Sequence, residues 1–390
     1  MSIMRMLFSI VALLAVAAVG YDLLTYDRAA WQADYERLKD GMAEGYANLD
    51  WQVEQRNLDL EALDSQTGEA LDGSFSHIQA FLALRRFVDA FDDPHLGMHF
   101  GQAPETATLL PMESSTAPGT DCASAGYETE NLASDLSYTA HPDWKPVASR
   151  DFPAGTIGET GIVRIAAFGE NKYKEACAEA AEAGLDARAL QLATRKRLNA
   201  HFDETLSALR EAGAKRLVID ATGNGGGSEW IADIVAKLGE GNLGRSSPLL
   251  ADPACDRRAI WEGQKVCPVL KPNAKKEWIE GSGLWTGPIS LLLDRRSASA
   301  TEGFAVWLAD NDRAVLVGER TFGAGCGYID GGHAVQLKAA PLYVLMPNCA
   351  RFTAAGVNEI EGIEPDLPAD LSSMPATEFP ELFDRAFMMP

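Results

Sequence analysis

Two apolar runs that pass through small residues straight into helical patterns constrain this chain more than any other feature. Arg216-Leu217-Val218-Ile219-Asp220 reads as a short buried strand, followed by the loop Gly223-Asn224-Gly225-Gly226-Gly227-Ser228 and a helix from Trp230 to Leu238. Ile289 to Leu293 reads as a second strand, followed by Arg295-Arg296-Ser297-Ala298-Ser299-Ala300-Thr301-Glu302 and a helical stretch from Gly303 to Leu308. A strand that turns at once into a helix holds one side chain at a sharp bend, before N–H groups that have no partner inside the helix. Ser299 stands at that bend, where such groups can stabilise developing negative charge. Ser299-x-x-Glu302 is equally a capping box, which satisfies those donors without any chemistry.

The glycine loop bares backbone N–H groups in the same way, and four glycines in five positions allow close backbone approach. Phosphate cradles, dinucleotide sites and oxyanion holes all use such loops. The Gly-Lys-Ser/Thr ending of a P-loop is missing, and Ser228 stands where a dinucleotide fingerprint has its third glycine, so the first two readings are disfavoured. Upstream, Gly161-Ile162-Val163-Arg164-Ile165 reads as a strand. Leu198, Phe202, Leu206 and Leu209 then line one face of a helix that stops at Gly213, so strand and helix alternate.

The N-terminal half is different. Trp31, Tyr35, Leu38, Met42 and Leu49, and then Ile78, Phe81, Leu84, Val88 and Phe91, recur at helical spacing, which predicts a helical domain over residues 21–100. Residues 101–155 are rich in Pro, Ser, Thr, Ala and Gly with weak periodicity, and read as a loop-rich insertion. The interval is short for a PDZ domain and lacks a clear carboxylate-binding loop, so none is expected. Residues 156–390 hold the alternating core. Arg5 and the apolar run from Leu7 to Gly20 read as a signal peptide over residues 1–20, with a retained membrane anchor as the alternative.

A formal charge of -22 and a pI near 4.7 argue against nucleic acid, which needs a basic surface. The six cysteines are even in number and show no zinc-ligand spacing, so in an exported chain they favour disulfides. Cys326 precedes and Cys349 follows extended stretches that can return antiparallel, which predicts that they are joined. Cys255 with Cys267 would close a surface loop, leaving Cys122 with Cys177.

Four segments, RLVIDATGNGGG from Arg216, LLLDRRSASATEGFAVWL from Leu291, AVLVGERTFGAG from Ala314 and GIEPDL from Gly362, occur in an order and spacing similar to the C-terminal-processing and tricorn-type serine peptidases. The resemblance covers most of residues 160–370. It implies an α/β fold with a crotonase-like/ClpP-like β-spiral catalytic core beside the helical domain, and hydrolysis of peptide or protein substrates without metal or organic cofactor. It places the nucleophile at Ser299 and the oxyanion N–H groups at Ala300 and Gly226, with Gly225 and Gly227 as alternatives to the latter. Glu302 matches the glutamate that opens the helix after the nucleophile.

One departure from the pattern decides the mechanism. Where dyad enzymes carry a lysine base in Thr-Phe-Gly-Lys-Gly, this chain has Thr321-Phe322-Gly323-Ala324-Gly325. A methyl group cannot take a proton. The tricorn-type branch instead uses a histidine in an Asp-x-His stretch and a glutamate before Gly-Val/Ile-x-Pro-Asp. Asp93-Pro94-His95 and Glu359, flanked by Glu361 and Glu364, match these. The resemblance therefore implies His95 as base, with His77, His99, His141, His201 and His333 as rivals, and Glu359 as the group that orients or polarises the site. The alternative class is a catalytically silent relative of the same fold that holds an apolar ligand. The sequence sets neither the oligomeric state nor the cleavage preference; a membrane is a partner only if residues 1–20 are retained.

Overall fold

The computed structural model describes the chain except for residues 1–19, 105–120, 130, 149, 183, 252–254, 266 and 390. The expected signal peptide or anchor lies outside the described residues but for its last position. None of the described helices is long and apolar enough to cross a membrane. The chain divides into two compact units, one drawn from Met1–Leu109, Leu249–Leu270 and Gly327–Cys349, the other from Leu110–Pro248, Lys271–Cys326 and Ala350–Pro390.

The first unit packs the helices Arg28–Gly45, Leu49–Glu54, Leu60–Asp72 and His77–Asp89 with a three-stranded antiparallel sheet in the order Gly97–Phe100, Leu342–Met346, His333–Gln336. Asp27, Asp59 and Ser76 cap three of these helices by accepting an N–H three residues on. The first apolar stripe is core as expected: Trp31, Tyr35, Leu38, Met42 and Leu49 are all buried. The second is shifted in phase. Leu84, Val88 and Phe91 are buried, as is Phe87, but Ile78 is 59% exposed, because at the second position of its helix it points away from the face that Ala80, Ala83, Leu84 and Phe87 pack inward.

The second unit is built on a seven-stranded sheet in the order Leu367–Pro368, Val315–Gly318, Ile289–Leu293, Arg216–Asp220, Thr160–Arg164, Ala154–Ile157, Lys145–Ala148. The first five run parallel, and the last two close the edge antiparallel. Parallel strands buried on both faces read as unbroken apolar runs, and Ile289–Leu293 is buried at every residue. The long helix Ala187–Glu211 buries Leu198, Phe202, Leu206 and Leu209. The helix Ala300–Ala309 is buried from Ala300 through Leu308, an all-round burial that matches its lack of a polar face. The stretch read as loop-rich supplies the edge strand Lys145–Ala148 of this sheet, and it is tied down by the disulfide Cys122–Cys177. Cys255–Cys267 forms the second disulfide; Cys326 and Cys349 are also disulfide-bonded, and none of the described cysteines is free.

Candidate active site

In the second unit, neighbouring parallel strands bring the two strand–turn–helix segments side by side, with Leu217 opposite Ile289 and Asp220 opposite Leu292. Both turns therefore leave the same end of the sheet, the edge at which open parallel sheets hold their ligands. The turns are stitched together. Asp294 accepts the Gly223 N–H at 2.7 Å and the Arg296 N–H at 3.0 Å, Ala298 N–H donates to Asn224 O at 3.0 Å, and the Ser297 hydroxyl donates to Ala221 O at 2.9 Å. Burial pushes the Asp294 pKa up, but the Gly223 and Arg296 donors outweigh it and hold the carboxyl below its ordinary range. Ser297 is wholly buried and is a strut; Ser299 is only half-buried.

Ser299 has φ 56° and ψ -114°, a left-handed conformation that costs a non-glycine residue about 1–3 kcal/mol. Gly226 explains how the loops approach so closely. It has φ +99°, and a Cβ placed on it would lie 2.6 Å from Ala298 O, 2.8 Å from Ala300 N and 2.9 Å from Ser299 Cβ. Its own N–H is accepted by Asn224 Oδ1 at 2.9 Å. Ala300 is the first residue of the helix, where N–H groups lack intrahelical partners.

Two buried carboxylates lie behind this turn. Glu302 gathers five donors: Ser299 N–H (2.8 Å), Ala324 N–H (3.0 Å) and Gly325 N–H (2.8 Å) on Oε2, and the Thr321 hydroxyl (2.6 Å) and Gly323 N–H (2.7 Å) on Oε1. Burial raises its pKa despite these bonds, and the Glu359 charge adds to the rise. Glu359 is fully buried and pairs with Arg351, whose Nε and Nη2 both reach Oε2, at 2.7 and 2.6 Å. Arg351 Nη2 also donates to Ser299 O and Gly325 O, each at 2.9 Å. Glu359 Oε1 is buried with no hydrogen-bond partner. A cleft of about 520 Å³ borders the glycine loop, lined by its glycines and by alanines as well as by the charged Asp135, Arg164, Lys172 and Arg296.

His95 belongs to the first unit. Its N–H donates to Asp93 Oδ1 at 3.0 Å, its carbonyl accepts the Tyr328 hydroxyl at 2.6 Å, and the two rings meet edge to face with centroids 5.4 Å apart. Gly327 leaves room for the imidazole, since a Cβ there would lie 2.8 Å from His95 Nε2. Asp93 also accepts the Tyr46 hydroxyl at 3.0 Å, and burial lifts its pKa to about 6. The rival histidines have other employment. His99 stacks on Tyr343, His77 accepts the Trp31 indole N–H at 3.0 Å, His201 is buried against Asp151, His141 accepts the Asp143 N–H at 3.1 Å, and burial lowers the pKa of His333. Ser299, Ala300, Gly226 and Glu359 thus fall together in one unit, and His95 in the other.

Residues 159–369, more than half of the chain, match peptidase family S41. The chain belongs to that family. Across 122 residues it is 31% identical to a carboxyl-terminal-processing protease of Picosynechococcus sp., an alignment that spans 31% of this chain and about a quarter of that protein, 25%. A putative peptidase from Parabacteroides merdae has the same fold at 15% identity and TM-score 0.59, covering 91% of this chain and 96% of that one. Mature CPAF does so at 15% identity and TM-score 0.59, covering 91% and 95%. In this S41 chain, the position of the absent lysine, Ala324, is buried and donates its N–H to Glu302. Sequence reasoning missed Arg351 altogether and saw Glu302 as a cap and a motif match, not as the acceptor of the Thr321–Gly325 segment. The spacing of Thr321, Gly323 and Gly325 around Ala324 was the one available sign that this segment wraps an anion.

Proposed function

We propose that the chain is an exported serine peptidase that hydrolyses peptide bonds through Ser299, with His95 as general base. The observation that carries this is Ser299 itself: a half-buried serine in a strained turn at a helix N-terminus, with Gly226 cleared to touch it. In this reading His95 removes the hydroxyl proton as Oγ attacks the scissile carbonyl carbon. The resulting oxyanion takes hydrogen bonds from the Ala300 N–H and a glycine-loop N–H. Because the Gly226 N–H is already accepted by Asn224, Gly225 or Gly227 supplies the loop donor, and Gly226 supplies the close approach. The imidazolium then protonates the leaving amine, and water, deprotonated by His95, releases the acyl group. The free Oε1 of Glu359 is the acceptor that polarises the site. The charged side chains at the cleft, Asp135, Arg164, Lys172 and Arg296, favour a peptide over an apolar ligand, which would leave them desolvated. The disulfides fit an oxidising compartment.

The test is hydrolysis of an unstructured polypeptide. Wild type should cleave it, and more slowly once acid protonates the imidazole base. Ser299→Ala should abolish cleavage, His95→Ala should lower it by about 100- to 10,000-fold, and Ala324→Lys should not restore the latter. Undiminished cleavage by Ser299→Ala would overturn the reading.

A further inference from the structure

Ser299 O and the Ala300 N–H belong to one peptide group. Whatever pulls on the carbonyl oxygen makes the N–H on the far side of that planar, trans unit a better donor. The Ser299 carbonyl accepts the Arg351 guanidinium at 2.9 Å as well as the Gly303 N–H at 3.1 Å. We propose that Arg351 is a positioning residue that polarises the oxyanion donor through the Ser299–Ala300 peptide. The inference rests on the Ser299 reading and adds to it a residue that the spacing of known motifs does not mark.

The arrangement is specific to a guanidinium. Arg351 reaches Ser299 O, Gly325 O and Glu359 Oε2 at once, and only a planar fork of fixed donors spans these from one side chain. A guanidinium keeps its proton, so the group cannot be a base in place of the missing lysine; it brings positive charge without proton transfer. Glu302 takes the Ser299 N–H from the other side, so the strained residue is held between a buried anion at its N–H and a cation at its carbonyl. Glu359 fixes the cation, and its buried charge needs Arg351 in turn. Gly303 completes the device: a Cβ at that position would lie 2.9 Å from Arg351 Nη1.

Charge on the oxyanion develops only in the transition state, so the effect belongs to kcat and not to KM. On the full-length protein, kcat and KM for a peptide ester, the Ki of a peptidyl trifluoromethyl ketone and the thermal midpoint are measured for wild type, Arg351→Ala, Arg351→Lys and Gly303→Ala. Arg351→Ala should lose about 10- to 100-fold in kcat, part of the range for removing a whole oxyanion donor. Its KM should stay within about twofold, and the ketone Ki should rise in parallel with the fall in kcat/KM. Low-millimolar guanidinium ion should restore part of the Arg351→Ala rate, and Arg351→Lys should not recover wild-type kcat. Gly303→Ala should also lower kcat although alanine is the better helix former. A purely structural role would lower the thermal midpoint while folded protein kept its ketone affinity and ignored guanidinium, and that result overturns the inference. If wild type neither turns over the ester nor binds the ketone, the Ser299 reading falls and takes this inference with it. If wild type does both and Arg351→Ala matches it, only the role of Arg351 falls.

Discussion

Glu302→Gln tests the buried anion that holds Ser299. A carboxamide keeps the shape of a carboxylate but has one acceptor oxygen, and its NH2 can lie on either side. On the Oε2 side the NH2 would face three N–H groups, those of Ser299, Ala324 and Gly325. On the Oε1 side it would face the Gly323 N–H and the Thr321 hydroxyl, whose oxygen can accept instead of its hydrogen being donated. The second orientation is less costly. It leaves one buried N–H without an acceptor, about 1–3 kcal/mol, and weakens three charge-assisted bonds by about 1 kcal/mol each. Removing a buried charge whose pKa is already raised by burial offsets part of this, so the expected net loss is about 2–4 kcal/mol. Scanning calorimetry reads the loss, and amide hydrogen exchange locates it: the Gly323 amide should exchange faster while the Ser299 amide stays protected. A glutamate that only complements the helix N-terminus is worth about 0.3–1 kcal/mol. A loss below about 1 kcal/mol with the Gly323 amide still protected would refute the reasoning.

Gly226→Ala should cost at least about 1–2 kcal/mol and abolish turnover, because φ +99° and a contact of 2.6 Å with Ala298 O leave no place for a methyl group. Gly225→Ala, with nothing within 4 Å, should leave the thermal midpoint nearly unchanged. The folded pKa of Asp93, about 6, lies above its ordinary value, so the native state keeps a proton that the unfolded chain releases. Its contribution is present below about pH 4 and lost as pH rises to about 6, roughly 3 kcal/mol, and this slope should vanish from the stability–pH curve of Asp93→Asn. Replacing Cys122 and Cys177 by serine should cost about 4 kcal/mol and Cys255 with Cys267 about 3, because the bridged residues are 55 and 12 positions apart and the longer loop gains more from closure. Thermal melts of the two double variants check the order.

The turn at Ser299 was legible because strand, small residues and helix follow one another directly, so burial pattern and turn chemistry point to one bend. The same locality revealed the glycine loop and the helix carrying Leu198, Phe202, Leu206 and Leu209. Arg351 was not legible, since its partners Ser299 and Gly325 stand 52 and 26 residues away and an isolated arginine after Ala350 has no local signature. Lys145–Ala148 was hidden for another reason. It is a four-residue edge strand that contains Pro146, which an edge tolerates but which erases the alternation that marks a strand. Ile78 was misplaced because periodicity gives the spacing of a stripe but not which of two neighbouring phases faces the core, and Phe87 anchors the phase the structure uses.

The claim that Ser299 is the nucleophile is tested most directly by labelling the wild-type protein with a fluorophosphonate and locating the adduct by peptide mass. The account predicts a single adduct on Ser299, none on the buried Ser297, and none at all after Ser299→Ala. A folded wild-type protein that takes no label, or takes it on another serine, would contradict it.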